Sequence, residues 1–217
     1  MLGLKGSLMT FIFRESHNQL MLWPYRTPGI PDALFAQIPG IPLTARELRV
    51  LILSHLHLGE QGCLWDIGAG TGTILIEAAL LCPQYTLIAI ERDAEVVELI
   101  QGNAQRFGVE QIQVIQGTAP ACLEGIHPRP QRILLEGGSP LPPIFTAAWD
   151  VLLPGGRLVA TAGSLEALYV LSEGLARVQA RHVEVIQTGL NRLQKRGLGQ
   201  AFIALDPMFI LSGEKPL

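Results

Sequence analysis

Leu64-Trp65-Asp66-Ile67-Gly68-Ala69-Gly70-Thr71-Gly72-Thr73 is the stretch that decides the fold of this 217-residue chain. An apolar strand ends at Asp66, three glycines at alternate positions make a tight turn, and Thr73 to Leu81 reads as the following helix. Glycine reaches positive φ cheaply and lets the backbone approach a ligand, while the start of a helix offers free N–H groups. A second apolar run, Thr86 to Ile90, closes at Glu91, where an acidic side chain can hydrogen-bond the ribose hydroxyls of an adenosine group. The spacing is Asp-x-Gly-x-Gly-x-Gly. A dinucleotide fingerprint, G-x-G-x-x-G, would require glycine at Thr73, so the turn describes a nucleoside pocket of another kind.

Outward from this turn the chain alternates strand and helix. Thr44-Ala45-Arg46-Glu47 has capping-box spacing, and Leu48, Leu51, Ile52 and Leu56 follow at helical intervals, which predicts a helix over 45–56. Asp93 to Arg106 reads as a helix stopped by Gly108, and Ile112 to Gln116 as a short strand. Arg132 to Leu135 is a strand, 144–152 a helix, Arg157 to Ala162 a strand, and Ser164 opens a helix running to about Gln179. The expected architecture is therefore α/β, a Rossmann-like, doubly wound and mostly parallel seven-stranded sheet. His182 to Thr188 and Ala201 to Leu211 have no helix between them and are expected to pair antiparallel at the sheet edge. Pro24, Pro28, Pro31, Pro39 and Pro42 make the preceding segment extended. Residues 1–20 read as an N-terminal extension, with a fresh start at Met21.

Composition narrows the function classes. A hydrophobic content of 48% supports one substantial core. A net charge of −3 without basic runs speaks against a nucleic-acid partner. Cys63, Cys82 and Cys122 form no C-x-x-C pair, and His55, His57, His127 and His182 have no ligand spacing, so neither a disulfide nor a metal is expected. No signal peptide and no membrane span are read from the apolar runs, and a reducing, cytoplasmic setting is expected.

The glycine-rich turn resembles the first motif of class I methyltransferases that use S-adenosylmethionine, in which the loop faces the methionine part of the cofactor. A more specific likeness is carried by Trp23-Pro24-Tyr25-Arg26-Thr27-Pro28-Gly29-Ile30-Pro31-Asp32, then by Ile41-Pro42-Leu43-Thr44, Gly137-Gly138-Ser139 and Pro154-Gly155-Gly156-Arg157-Leu158-Val159-Ala160. Over residues 21–213 the chain resembles the decarboxylating precorrin-6B carbon-15 methyltransferases of corrin biosynthesis. The resemblance implies methylation of a bridging carbon of a precorrin or cobalt-precorrin, coupled to loss of carbon dioxide from the ring-C acetate. It implies a homotetramer, with carbon-5 methylation supplied by a separate protein. It divides the chain into residues 1–20, a proline-rich substrate-side segment at 21–43 and a methyltransferase domain at 44–217. Cofactor contacts are implied for Thr44, Asp66, Gly68, Ala69, Gly70, Thr71, Gly72, Glu91, Arg92, Thr118, Ala119 and Gly137. Thr118 stands where relatives often carry an acidic residue, but its hydroxyl can still accept a hydrogen bond.

A macrocycle rich in carboxylates calls for cations and aromatic walls. Trp23, Tyr25, Arg26, Arg46 and Gly138 are the candidates, with Arg49, Arg192, Lys195 and Arg196 as further cations. Arg46 and Arg49 also fit a solvated helix face, and Arg192 to Arg196 an edge-strand guard. Loop position alone nominates Glu136 and Ser139 as orienting groups at the reaction centre. Two rival readings share the turn: a tRNA adenine methyltransferase, and a protein that binds the cofactor without catalysis. The acidic balance speaks against the first, and enzymes of this class that methylate amide or adenine amino nitrogens usually carry Asn/Asp-Pro-Pro-aromatic after the fourth strand, where this chain has Glu136-Gly137-Gly138-Ser139.

Overall fold

The computed structural model describes residues 22–197 and 199–217, so the expected extension and the start at Met21 lie outside the described residues. Five parallel strands form the main body: β1 (Gln61–Ile67), β2 (Gln84–Glu91), β3 (Gln113–Gln116), β4 (Arg132–Leu135) and β5 (Arg157–Ala162). They alternate with α2 (Thr73–Leu81), α3 (Ala94–Phe107), α4 (Leu141–Val151) and α5 (Leu165–Arg177), while α1 (Arg46–Leu56) precedes them. The period-2 alternation of the strands explains the two layers of helices. Leu64, Leu87, Leu134 and Val159 point to one face and pack with α1, α2 and α3; Trp65, Ile88, Ile133 and Leu158 point to the other and pack with α4 and α5.

The strand order is β3-β2-β1-β4-β5-β9-β6, with β9 (Phe209–Glu214) antiparallel between β5 and β6 (Arg181–Gln187). Chain progression reverses between β1 and β4, the switch point over whose carboxyl ends an open α/β sheet places its ligand crevice. Local signals set the boundaries. Asp93 caps α3 by accepting from Glu95 N, Gly108 ends it with φ 68°, and Ser164 caps α5 by accepting from Ala167 N.

Two expectations need correction. The predicted strand Ala201 to Leu211 is two strands: β8 (Gly199–Ala204) pairs with β7 (Asn191–Arg196) in a separate hairpin, and only β9 joins β6 in the sheet. Pro207 has no N–H for a ladder, and Leu205–Met208 leaves the strand direction there. The capping box is also not formed. Ala45 occupies the N-cap of α1 without a side-chain bond, and the Thr44 hydroxyl donates to Glu136 Oε2 at 3.0 Å.

The proline-rich segment is fixed to the helices by buried polar groups. Gly29 N and Ile30 N donate to Glu77 on α2, and Ala36 exchanges two hydrogen bonds with the side chain of Asn103 on α3. At the centre lies Arg49 of α1, fully buried. Its guanidinium pairs with Glu77 at 2.7 Å and Asp32 at 2.8 Å, donates to the carbonyls of Thr44 and Ile30, and lies 5.0 Å from the Phe35 ring centroid. It is therefore neither a solvated helix face nor a free substrate cation. Replacing it by Arg49→Met leaves Glu77 charged and buried without its partner, so urea unfolding is expected to show a loss of about 3–5 kcal/mol. A loss below about 1 kcal/mol would mean that this cluster holds nothing together.

Candidate active site

A cavity of about 680 Å³ lies over the carboxyl ends of the strands. Its floor is the turn after β1. Gly68 N and Ala69 N donate to Ile90 O, and Gly70 N donates to Glu91 Oε2 at 3.3 Å. Gly68 adopts φ 81°, and a Cβ there would stand 3.0 Å from the Glu136 carbonyl oxygen, so the loops from β1 and β4 meet only because this residue has no side chain. Glu91 ends β2, and its other oxygen, Oε1, accepts from Arg92 N at 2.8 Å and Asp93 N at 3.1 Å. The carboxylate is thereby locked at the cavity edge.

Thirteen of the residues nominated from sequence are brought together here: Thr44, Gly68, Ala69, Gly70, Thr71, Glu91, Arg92, Thr118, Ala119, Glu136, Gly137, Gly138 and Ser139. Asp66, at the start of the turn, is fully buried, and among the described residues neither carboxylate oxygen has a hydrogen-bond partner. Burial, then the nearby charges of Glu136 and Glu91, pushes its carboxyl well above the ordinary range. Glu136 borders the cavity but is closely surrounded by protein; burial raises it to about 7, against the lowering effects of the Thr44 hydrogen bond and the Arg49 charge. Gly72 does not face the cavity. It caps α2 at φ 73° with Ile100 pressed against it, 2.9 Å from where a Cβ would be, so its role is helix packing.

The expected substrate residues are mostly elsewhere. Trp23, Tyr25 and Arg26 line a small second pocket with Leu80 and Leu81, near the far end of α2, because Glu77 and Asn103 hold the proline-rich segment along that flank. Arg46 is half exposed and pairs with Glu47, outside the cavity. Arg192 on β7 pairs with Glu47 and Asp32. Lys195 and Arg196 stay on the exposed hairpin. Arg192 thus docks the hairpin on α1, and its hydrogen bond is the main reason the Glu47 carboxyl drops to about 2.

Sequence reading missed part of the wall. Leu205, Asp206 and Met208 reach it from the segment between β8 and β9, and Thr161 and Gly163 from the end of β5. No local motif marks them. Ile41, Pro42 and Leu43, the end of the expected substrate-side segment, also line the cavity.

The lining charges are Glu91, Asp93, Glu136 and Asp206 against the single cation Arg92 among the described residues, with the orphaned Asp66 below. This balance fits a positively charged nucleoside such as a sulfonium cofactor with a free ammonium. A phosphorylated ligand would meet carboxylates instead. Among the described residues, no group of three or more His, Cys, Asp or Glu could hold a metal ion, and no helix is long and apolar enough to cross a membrane.

Comparison with known proteins agrees with this geometry. A family model described as precorrin methyltransferase domain matches residues 38–213. The chain is 37% identical over 199 residues to a probable cobalt-precorrin-6B C(15)-methyltransferase (decarboxylating) of Saccharolobus solfataricus, covering 90% of this chain and all of the relative. The Salmonella typhimurium cobalt-precorrin-6B C(15)-methyltransferase (decarboxylating) is 35% identical, over 85% of this chain and 95% of that protein. Among solved structures, a precorrin-6Y C5,15-methyltransferase from Geobacter metallireducens superposes with a TM-score of 0.81 at 29% identity, covering 89% of this chain and all of that one.

Asp66 should leave a signature in stability. An unfolded aspartate releases its proton above about pH 4, whereas the buried one keeps it to higher pH, so folding takes up a proton and wild-type stability falls as pH rises through this range. Asp66→Asn removes that coupling. Its urea midpoint relative to wild type is expected to increase between about pH 5 and about pH 8, and a constant difference would show that Asp66 is ionised in the fold.

Proposed function

The chain belongs to the precorrin methyltransferase family, and on that premise we propose that it methylates the carbon-15 bridge of a precorrin-6B or cobalt-precorrin tetrapyrrole using S-adenosylmethionine. The reaction is coupled to loss of the ring-C acetate carboxyl as carbon dioxide. The observation that carries this reading is the convergence of the Asp66–Gly72 turn, Glu91 and the Glu136–Ser139 loop at one acidic cavity over the point where strand order reverses. Neither a tRNA substrate nor cofactor binding without catalysis is favoured, since the family match is to precorrin enzymes.

Gly68, Ala69, Gly70 and Thr71 would support the methionine part of the cofactor, Glu91 its ribose, and Thr118 and Ala119 its adenine. S-adenosylmethionine supplies the methyl group with a neutral thioether as leaving group. The chain's own task is alignment and exclusion of water. Glu136, held by Thr44, and Ser139 border the space beside the glycine turn and would orient the tetrapyrrole. Ile41, Leu43, Leu205 and Met208 give this end apolar surface suited to a flat macrocycle, while its peripheral carboxylates are best left at the mouth, near Arg92.

The proposed setting is cytoplasmic and the proposed assembly a homotetramer, with a separate protein methylating carbon 5. The hairpin supports self-association, because Leu193 and Phe202 face each other across it and are 52% and 70% exposed.

Incubation with labelled cofactor and a precorrin or cobalt-precorrin intermediate is expected to give a product heavier by a methyl group and lighter by carbon dioxide in mass spectrometry. An unaltered tetrapyrrole would overturn the reading. Calorimetry with S-adenosylhomocysteine should show Gly68→Ala binding roughly tenfold more weakly, the cost of forcing a Cβ into a left-handed, crowded position. Ser139→Ala is expected to lower turnover by roughly threefold to tenfold, the worth of one hydroxyl hydrogen bond, and full activity would remove Ser139 from the site.

A further inference from the structure

Decarboxylation imposes a proton requirement that the alignment of methyl and carbon does not meet. Methylation of the bridging carbon leaves the conjugated tetrapyrrole with one additional positive charge. When the bond between the acetate methylene and its carboxylate breaks, carbon dioxide departs and the bonding pair enters the conjugated system. The charge is cancelled and an exocyclic methylene remains. That methylene becomes a ring methyl only by forming a new C–H bond, which regenerates a cation, and neutrality returns when a ring N–H or C–H gives up its proton. The half-reaction therefore needs a proton donor at the methylene and a proton acceptor at the ring, and one carboxyl can serve as both in turn.

Five carboxylates lie in or under the cavity, and their geometry separates them. Glu91 has both oxygens engaged by backbone N–H groups. Asp93 is the N-cap of α3. Asp66 is fully buried and does not line the cavity. Asp206 is exposed and would exchange with bulk water. Glu136 alone combines a place in the wall, partial burial and a fixed orientation with an oxygen left over: Thr44 donates to Oε2 at 3.0 Å, and Oε1 makes no hydrogen bond among the described residues.

We infer that Glu136 is the proton carrier of the decarboxylating half-reaction, giving its proton to the methylene carbon and recovering one from the ring. This rests on the function proposed above. The groups that act on it are the Asp66 carboxyl on β1, itself influenced by Glu91 on β2, the Arg49 charge on α1 and the Thr44 hydroxyl. With a carboxyl near 7, both its forms are populated at neutral pH, which suits a group that must serve as acid and then as base. At the end of the cycle Glu136 is protonated again, and no oxidant or further reactant is consumed.

The test is a reaction in deuterium oxide with the full chain, S-adenosylmethionine and a precorrin-6B or cobalt-precorrin-6B substrate, read by mass, absorption and NMR of the ring-C methyl. Wild type is expected to place one deuterium in that methyl. Glu136→Gln is expected to slow methyl transfer, since Glu136 also orients the tetrapyrrole, and to lower ring-methyl formation by roughly 10²-fold or more beyond that loss, so that an isomer with product mass but altered absorption accumulates. Glu136→Asp should partly restore the ring methyl. Should Glu136→Gln fail to fold, Thr44→Val is the alternative: loss of the hydroxyl removes a lowering influence and should move the pH limb of ring-methyl formation upward. Formation of the ring methyl by Glu136→Gln at the wild-type rate, or equal loss of both steps, would overturn the proposal, as would an unmoved limb in Thr44→Val. Failure of the wild type to methylate either tetrapyrrole would instead overturn the function on which it rests.

Discussion

The buried Arg49 guanidinium is the constraint to which the rest of the active site is referred. A cation with no access to water is tolerable only if its donors are met, and Arg49 meets them with two carboxylates and two carbonyls. Those partners belong to different parts of the chain: Glu77 to α2, Asp32 and Ile30 to the proline-rich segment, and Thr44 to the residues entering α1. Fixing the Thr44 backbone also aims its hydroxyl, which is the hydrogen-bond donor to Glu136. One guanidinium thus connects the scaffold to the cavity wall.

The cavity shows the opposite treatment of charge. Among the described residues Asp66 is buried without a partner, and Glu136 has one hydrogen bond, from Thr44. Neither arrangement helps the free fold, since an unpaired buried carboxyl loses hydration and gains little in return. Such groups make sense where a ligand brings the missing complement. A cationic ligand beside Glu91 and Glu136 would gain from the same field that raises the Asp66 carboxyl.

Legibility in the sequence followed the range of the interactions. The glycine turn, the capping Asp93 and Ser164 and the terminating Gly108 act on neighbours within a few residues, and the elements they bound were readable. The floor of the cavity was legible for the same reason, because Gly68 to Thr71 and Glu91 are motif residues. Thr44 deceived because its capping-box spacing is genuine while its hydroxyl is claimed by Glu136, 92 residues away. Arg49 looked like one more charge on an amphipathic helix, since Asp32 and Glu77 come from other elements. The aromatic residues of the proline-rich segment were assigned to the substrate because neither Glu77 nor Asn103 announces that it will hold that segment along the helices.

The β7–β8 hairpin has a wider consequence. It hangs from the sheet by backbone bonds at its base, Leu205 N to Leu190 O and Thr188 N to Met208 O, and is steadied by Arg192 against α1. It supplies no rung to the seven-stranded ladder, yet Leu205, Asp206 and Met208 at its root shape one bank of the cavity. Lengthening, shortening or grafting this excursion would reshape what the cavity admits while every strand pairing of the main sheet kept its partner. The molecule thereby separates a conserving frame from a replaceable margin, and a new acceptor could be accommodated by editing the margin alone.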